Sequence, residues 1–321
     1  MVLLTRIPSL LALFLTGLIL SVGLALLYLD SVRPSPQMTV SLVSAQMPAD
    51  TFEDVRAKLR VAVAAIVSPG DSFLTYRKLV DYLAAQVGRR SELVLRPTYE
   101  QVNELVEGGL VDVAFICSGA YAAAAPRGAI ELLVAPIVDG GTVYYADIIV
   151  PDSSAAHTLE DLRGGRFGYV DELSNSGRTA PRAYLQQLGY NPDRFFAETV
   201  LTHSHDRSIA AVSRGLIDGA SVDSLILEAM LDRQDPRAAG VRVIDRLGPY
   251  GMPPVVVPTG IDPALKEQLR QVFLDIALNP SGKALLQPLR IDGFRVPSAA
   301  EYEGVGTVAT GSTPEQAARE P

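Results

Sequence analysis

The chain has 321 residues, 48% of them hydrophobic, and a formal net charge of −8. That apolar content suffices for a large core in one domain or two, while the acidity argues against a nucleic-acid partner, which needs a basic face. Cys117 is the only cysteine, which excludes an intrachain disulfide and any multi-cysteine zinc site.

The first element is the uncharged run Ile7–Leu29, "IPSLLALFLTGLILSVGLALLYL", between Arg6 and Asp30. At about 1.5 Å per residue it can cross a bilayer core of roughly 30 Å, so it reads as a membrane anchor. The rival is a cleaved signal peptide, with Gly23-Leu24-Ala25 as a small-residue site; such peptides ordinarily have apolar regions of only about 7–15 residues. Either way the rest of the chain is exported, and the anchor reading ties it to the inner membrane through residues 7–29. A proline-bearing connector follows over 31–58, and a small, polar tail closes the chain over 304–321.

Between them strand and helix patterns alternate. "RVAVAAIV" (60–67) is a buried-strand run, followed by the amphipathic "SFLTYRKLVDYLAAQVG", then "ELVLRPT", a helix near 99–108, and strands "LVDVAFI" (110–116), "IELLVAPIV" (130–138) and "TVYYADIIV" (142–150). A second series starts at "TLEDLRGGRFGYVD". It continues through a helix after Ser176, "AETVLTH" (197–203), the helix of "DRSIAAVSRGL", "IDGASV" (217–222), a helix near 223–232 and "VRVIDRL" (241–247). The last part, "PPVVVPTG" and the helix of "DPALKEQLRQVFLDIALN" with Asp262 as cap and Pro263 in its first turn, reads as a return to the first series. Two β-α series imply two α/β lobes with mainly parallel sheets. The division is 59–145 with 252–303 for the first lobe and 146–251 for the second. Ligands of such sheets bind beyond the carboxyl ends of strands and between domains.

The stretch "YVDELSNSGRTAPRAYLQQLGY" places Ser174, Asn175, Ser176 and Gly177 between a strand and a helix. First-turn N–H groups lack helical partners and sit at the positive end of the macrodipole. Hydroxyl and amide side chains add donors, and small residues leave room for an oxyanion. Hydrogen bonds to a charged group contribute roughly 1.5–3 kcal/mol each, so four suit micromolar capture, which needs about 8 kcal/mol. The same residues also serve as ordinary helix caps.

With its neighbours this motif resembles a known family, the periplasmic substrate-binding proteins of phosphonate, phosphite and phosphate ABC importers. The similarity runs from about Arg60 to Tyr302 through "GLVDVAFICSGAY", "TVYYADIIV", the Ser174 stretch, "THSHDRSIAAVSRGLIDGASVDS" and "IDGFRVPSAAEYE". It implies a type II periplasmic-binding-protein clamshell, a small anionic ligand, no catalysis and no cofactor, with an ABC permease and ATPase as partners. It places Ser174, Asn175 and Ser176 on the ligand's oxygens, Asn175 standing where a threonine is usual, with Tyr99, Tyr144 and His205 completing the shell. Two departures matter. The acids that hold the ammonium of aminoalkylphosphonates align with Leu225 and Pro253, Asp223 lying two residues off; and the usual glycine-proline of a first-lobe loop is Cys117-Ser118. The expected ligand is thus a tetrahedral or small organic anion, contacted by Tyr99, Ser118, Tyr144, Ser174, Asn175, Ser176, Gly177, His205 and Asp223.

Other readings are open to the same residues. His203 and His205 form a metal pair only if a third ligand joins them. A Ser176–His205–Asp206 triad lacks a nucleophile elbow, and His205 with Asp206 serves equally as a helix cap. Tyr144-Tyr145 could hold one ion only if the strand breaks, because adjacent strand side chains point to opposite faces. The competing function is sensing, in which an anchored binding lobe pair reports occupancy to a membrane partner without transport.

Overall fold

Alternation along β1 (Lys58–Val63) decides how the first sheet is covered. Leu59, Val61 and Val63 face one cluster of buried side chains and Ala62 the other. The computed structural model describes residues 58–305, which fall within one compact unit. The expected anchor at 7–29, the connector up to residue 57 and the tail beyond residue 305 lie outside the described residues. Among the described residues, no helix is long and apolar enough to cross a membrane.

After β1 come α1 (Pro69–Gln86), β2 (Arg90–Leu95), α2 (Tyr99–Glu107), β3 (Val113–Phe115), α3 (Ser118–Ala124) and β4 (Ile130–Val138). Residues 139–142 then lead into β5 (Val143–Pro151), the first strand of a second sheet, followed by β6 (Arg166–Tyr169), α4 (Ala180–Gln187) and β7 (Glu198–Leu201). That sheet is completed by α5 (His205–Ser213), β8 (Gly219–Asp223), α6 (Ser224–Asp232) and β9 (Val241–Gly251). Residues 252–254 return the chain to the first sheet through β10 (Val255–Pro258), α7 (Pro263–Asp275), α8 (Pro280–Leu286) and β11 (Ile291–Arg295). Asp262 does cap α7: its carboxylate accepts the Ala264 N–H at 2.9 Å.

The strand orders are β11-β4-β10-β3-β1-β2 and β7-β6-β8-β5-β9. The expectation of mainly parallel sheets is corrected, because both are mixed. β1 pairs in parallel with β2 and β3, and β6 with β7 and β8. β10 lies antiparallel to β3 and β4, β11 to β4, and β5 to β8 and β9. Crossover helices enforce parallel pairing only within each β-α series. The strands that carry the chain between sheets and back, β5, β9 and β10, run against their neighbours.

Helices cover both faces of the first sheet. Leu79 and Leu83 of α1 and Leu269 and Phe273 of α7 bury against Val61, Val113 and Val255; Tyr99, Val102 and Val106 of α2 bury against Ala62, Ala114 and Val256. In the second sheet Phe167 and Ile148 pack with Leu185 of α4, while Ile149 and Val222 pack with Ile209 and Val212 of α5. Each fully buried side chain of this kind stabilises the fold by roughly 1.5–3 kcal/mol. The carboxyl ends of β1, β2, β3, β6 and β8 are left to meet between the sheets.

Candidate functional site

Two turns of small residues face each other at that meeting. On the first-sheet side β3 runs into Ile116-Cys117-Ser118-Gly119, which opens α3. On the other, β6 runs into the Ser174 turn. A Cβ added to Gly119 would lie 2.3 Å from the Leu173 carbonyl oxygen and 2.7 Å from the Asn175 nitrogen, so only glycine permits this approach.

The Ser174 turn is not the first turn of an ordinary α-helix. Residues Asn175–Thr179 form a π-helical turn, closed by the Thr179 N–H donating to the Ser174 carbonyl at 3.0 Å. The Ser174 hydroxyl accepts the Gly177 N–H at 3.1 Å, and the Gly177 carbonyl accepts from the Val170 N–H at 3.1 Å. Gly177 therefore spends both its backbone groups on the turn, and its lack of a side chain lets Val170 pack against it. Ser174, Asn175 and Ser176 are all buried, and the Ser176 Oγ and Asn175 Oδ1 find no hydrogen-bond partner among the described residues.

The tyrosines close on these turns from the first sheet and from β5. The Tyr144 hydroxyl lies 2.6 Å from the Ser118 Oγ and accepts the Asn175 side-chain amide at 3.1 Å, joining both turns. Tyr99, at the start of α2, is fully buried, and its hydroxyl lies beside the Ser174 side chain without a well-formed hydrogen bond. Burial pushes both phenols well above their ordinary range, with Cys117 and Asp223 adding to the shift. They are hydrogen-bonding hydroxyls, never phenolates, at physiological pH.

His205 opens α5, and its backbone N–H donates across to the Ile66 carbonyl at 3.0 Å. Its Nδ1 accepts the Asp223 N–H at 3.0 Å, which leaves the ring proton of the neutral imidazole on Nε2. Burial lowers its pKa to about 3, so the ring stays neutral. Asp223 caps α6 through the Leu225 N–H at 2.8 Å, and burial raises its pKa from 3.8 to about 7, with Asp147 and Glu228 contributing. The two shifts tilt stability in opposite directions. His205, depressed from 6.5, adds stability above about pH 6.5 that is lost as pH falls toward 3; Asp223, raised, adds stability below about pH 4 that is lost as pH rises through 7. Asp223→Asn is accordingly expected to gain stability relative to wild type as pH goes from about 4 to 8, read by urea unfolding at each pH. A difference independent of pH would contradict a buried Asp223 with a raised pKa.

Sequence reasoning noted Cys117 only as a departure from the family's loop and passed over Asp171 and Ser204. Burial raises the Cys117 thiol pKa while the backbone N–H groups of Asn175 and Gly119 pull it down, which places the sulfur between the two turns. The near-repeat of Cys117-Ser118-Gly119 and Ser174-Asn175-Ser176-Gly177 after their strands was the available signal. Asp171 is buried and stitches the turns to α2, accepting the Tyr99 N–H at 3.2 Å and the Leu173 N–H at 2.9 Å. Ser204 sits at the N-cap position of α5, but its buried hydroxyl makes no capping bond and has no partner among the described residues.

The other readings fare differently. His203, at φ 66°, is exposed while His205 is buried, so the two do not converge. Asp206 bonds the Ser68 N–H at 2.9 Å and Arg237 at 3.1 Å, while His205 Nδ1 is engaged by Asp223. Tyr144 and Tyr145 point to opposite faces: Tyr144 into the site, Tyr145 half-buried beneath the Arg246 guanidinium, 5.2 Å from its ring centre.

Residues 61–302 match the family model described as ABC transporter, phosphonate, periplasmic substrate-binding protein. A phosphate-import protein PhnD of Mycolicibacterium smegmatis is 27% identical over 197 residues, 57% of this chain and 61% of that protein. The chain thus spans less than two thirds of that curated relative's length. Among solved structures, a binding-protein component of an ABC phosphonate transporter from Pseudomonas aeruginosa superposes with a TM-score of 0.72 at 21% identity, covering 76% of this chain and 83% of that one. PhnD1 of Prochlorococcus marinus, in complex with methylphosphonate, gives 0.69 at 17% identity, covering 78% and 96%. At these identities the two structures speak for the fold.

Proposed function

From the premise that this chain belongs to the family of phosphonate ABC transporter periplasmic substrate-binding proteins, we propose that it captures a small oxyanion of the phosphonate, phosphite or phosphate kind between its two sheets and delivers it to an ABC permease and its ATPase. The location this implies is extracytoplasmic. The observation that carries the reading is the pair of buried hydroxyls left without a well-formed hydrogen bond among the described residues, Tyr99 OH and Ser176 Oγ, at two facing turns of small residues. Buried polar groups are ordinarily paired, and here an oxyanion supplies the missing partner.

In this reading the Ser174 and Ser176 turn, the Tyr99 and Ser118 hydroxyls and the His205 Nε2–H form the shell, and Tyr144 holds the two sides together. Donors of both kinds, neutral and fixed, need no counter-charge: hydrogen bonds to an anion contribute roughly 1.5–3 kcal/mol each. Asp223, whose pKa burial raises to about 7, is about half protonated at pH 7 and so carries only part of a negative charge toward the ligand. The lobes 59–145 with 252–303 and 146–251 close over the ligand, and closure is what the permease reads. The phosphate of one relative and the methylphosphonate of another lie within the same ligand class.

The test is a thermal-shift screen with phosphate, phosphite, methylphosphonate, aminoethylphosphonate, sulfate and dicarboxylates. A ligand at 100 times its dissociation constant stabilises the fold by about 2.7 kcal/mol. A phosphorus oxyanion is expected to raise the melting temperature, and the double variant Ser174→Ala, Ser176→Ala to bind it at least about tenfold more weakly. Unchanged affinity in that variant would remove the cradle from the site.

A further inference from the structure

Polar contacts tie the two sheets at the rim of the site. His205 and Asp206 open α5 of the second sheet and meet residues 66–68, just before α1 of the first. The His205 N–H donates to the Ile66 carbonyl at 3.0 Å, and the Asp206 carboxylate accepts the Ser68 N–H at 2.9 Å. Ser68 is the N-cap residue of α1, yet its own side chain makes no capping bond. A carboxylate from the other sheet thus stands at the positive end of this 18-residue helix, where negative charge is favoured. Asp206 is buried and is held there from behind by Arg237, at 3.1 Å.

Arg237 also reaches the helix directly. It grips Asp235 on its own side through two nitrogens and crosses to Asp71, in the first turn of α1, at 2.9 Å. Farther along, Arg233 donates to the Pro288 carbonyl at 2.7 Å and Asp232 pairs with Arg290 at 3.1 Å, both partners lying just before β11 of the first sheet. Every second-sheet group in this row comes from one short segment, residues 232–237. Parting the sheets would leave Arg237 paired with Asp206 and Asp235, so only the crossing bonds are lost. Half-exposed ion pairs shift an equilibrium by at most about fivefold each. Ties of that strength favour closure without locking it.

We infer that residues 205–206 and 232–237 form a clasp that holds the two sheets together before a ligand arrives, with Asp206 capping α1 from across the gap. The inference takes the closing motion from the proposed function and goes beyond it, assigning part of closure to side chains that do not touch the ligand. Opening removes the cap of α1 and both crossing ion pairs together. Ionic strength therefore sets how much of the protein stands open.

Cys117 reports the parting, because it is the sole thiol and its sulfur lies between the two turns. The experiment is alkylation of the ligand-free full chain by N-ethylmaleimide, an uncharged probe, followed by mass spectrometry. The Asp71 and Asp232 side chains are 42% and 64% exposed, so replacing them disturbs no core packing. The double variant Asp71→Asn, Asp232→Asn is expected to react about tenfold faster than wild type at low salt. Wild type is expected to accelerate severalfold between about 0.01 M and 1 M sodium chloride, as the Debye length falls from roughly 30 to 3 Å, while the double variant ignores salt. Asp206→Asn keeps an acceptor for the Ser68 N–H but loses the charge, and its rate is expected to fall between the two. Equal rates in wild type and double variant, or a wild-type rate indifferent to salt, would overturn the clasp. So would a faster rate matched by an equal loss of stability in urea, since unfolding would then expose the thiol. No phosphorus oxyanion enters the measurement, so failure of the oxyanion reading would leave its outcome unchanged.

Discussion

Gly119→Ala is expected to weaken binding of the wild type's phosphorus oxyanion about a hundredfold without unfolding the protein. The added methyl meets the Leu173 carbonyl oxygen at 2.3 Å and the Asn175 nitrogen at 2.7 Å. Both are backbone atoms, so relief requires the two turns to part. The parting acts on the Tyr144 hydroxyl, which touches Ser118 on one side and Asn175 on the other. Losing even one or two charge-assisted hydrogen bonds at about 1.5–3 kcal/mol each reaches a hundredfold. A ligand-free readout accompanies it. Cys117 is the sole cysteine and is 4% exposed, with its sulfur between the turns, so its alkylation by a maleimide is expected to accelerate in the variant. Unchanged affinity together with unchanged alkylation would mean that the turns are not held together by contact at Gly119.

That pair of turns also marks what could be read in the chain beforehand. The alternation of buried strand runs with helical segments announced two β-α series, and Asp262-Pro263 announced the start of α7, because both depend on local pattern. Strand direction did not, since "VVVP" of β10 buries all four residues whichever way it runs. Antiparallel β5, β9 and β10 follow from where the chain crosses, at 139–142 and 252–254, and no local signal encodes that. Within the site, the Ser174 stretch was visible as a cap-like cluster of small polar residues. Its π-helical turn was not, because the Thr179 to Ser174 bond is a choice among near-equal local geometries. Cys117 escaped for another reason: a lone cysteine after a strand reads as a small hydrophobe, and only the approach of the second turn puts its sulfur beside backbone N–H groups. Asp171 is similar, its partner Tyr99 lying 72 residues away.

Arg246→Ala is expected to cost about 3 kcal/mol of stability, a large loss for a residue outside the ligand shell. Asp147 lies in the middle of β5 and is fully buried, and Arg246 from β9 meets it with two parallel bonds of 2.7 and 2.8 Å. Burial already lifts the Asp147 pKa despite this partner, so removing the guanidinium leaves a carboxylate with nothing to compensate it. Breaking a buried pair costs roughly 3–5 kcal/mol; the lower end applies because the Arg246 side chain is half-exposed and water can follow it out. Asp147 can escape by taking up a proton, which fixes the sign of the pH effect: the loss is smaller near pH 4 and grows as pH rises toward 8. Asp147→Leu with Arg246→Leu is expected to recover most of the loss, since apolar replacement of a buried pair is often neutral. Urea unfolding of the two variants at pH 4 and 8 separates the outcomes. A loss that ignores pH would point to the stacking of Arg246 on Tyr145 as the dominant contact. The same strand carries Tyr144 into the site, so slackening of β5 in the single variant is also expected to loosen the bond between Tyr144 and Ser118, and with it the join between the two turns.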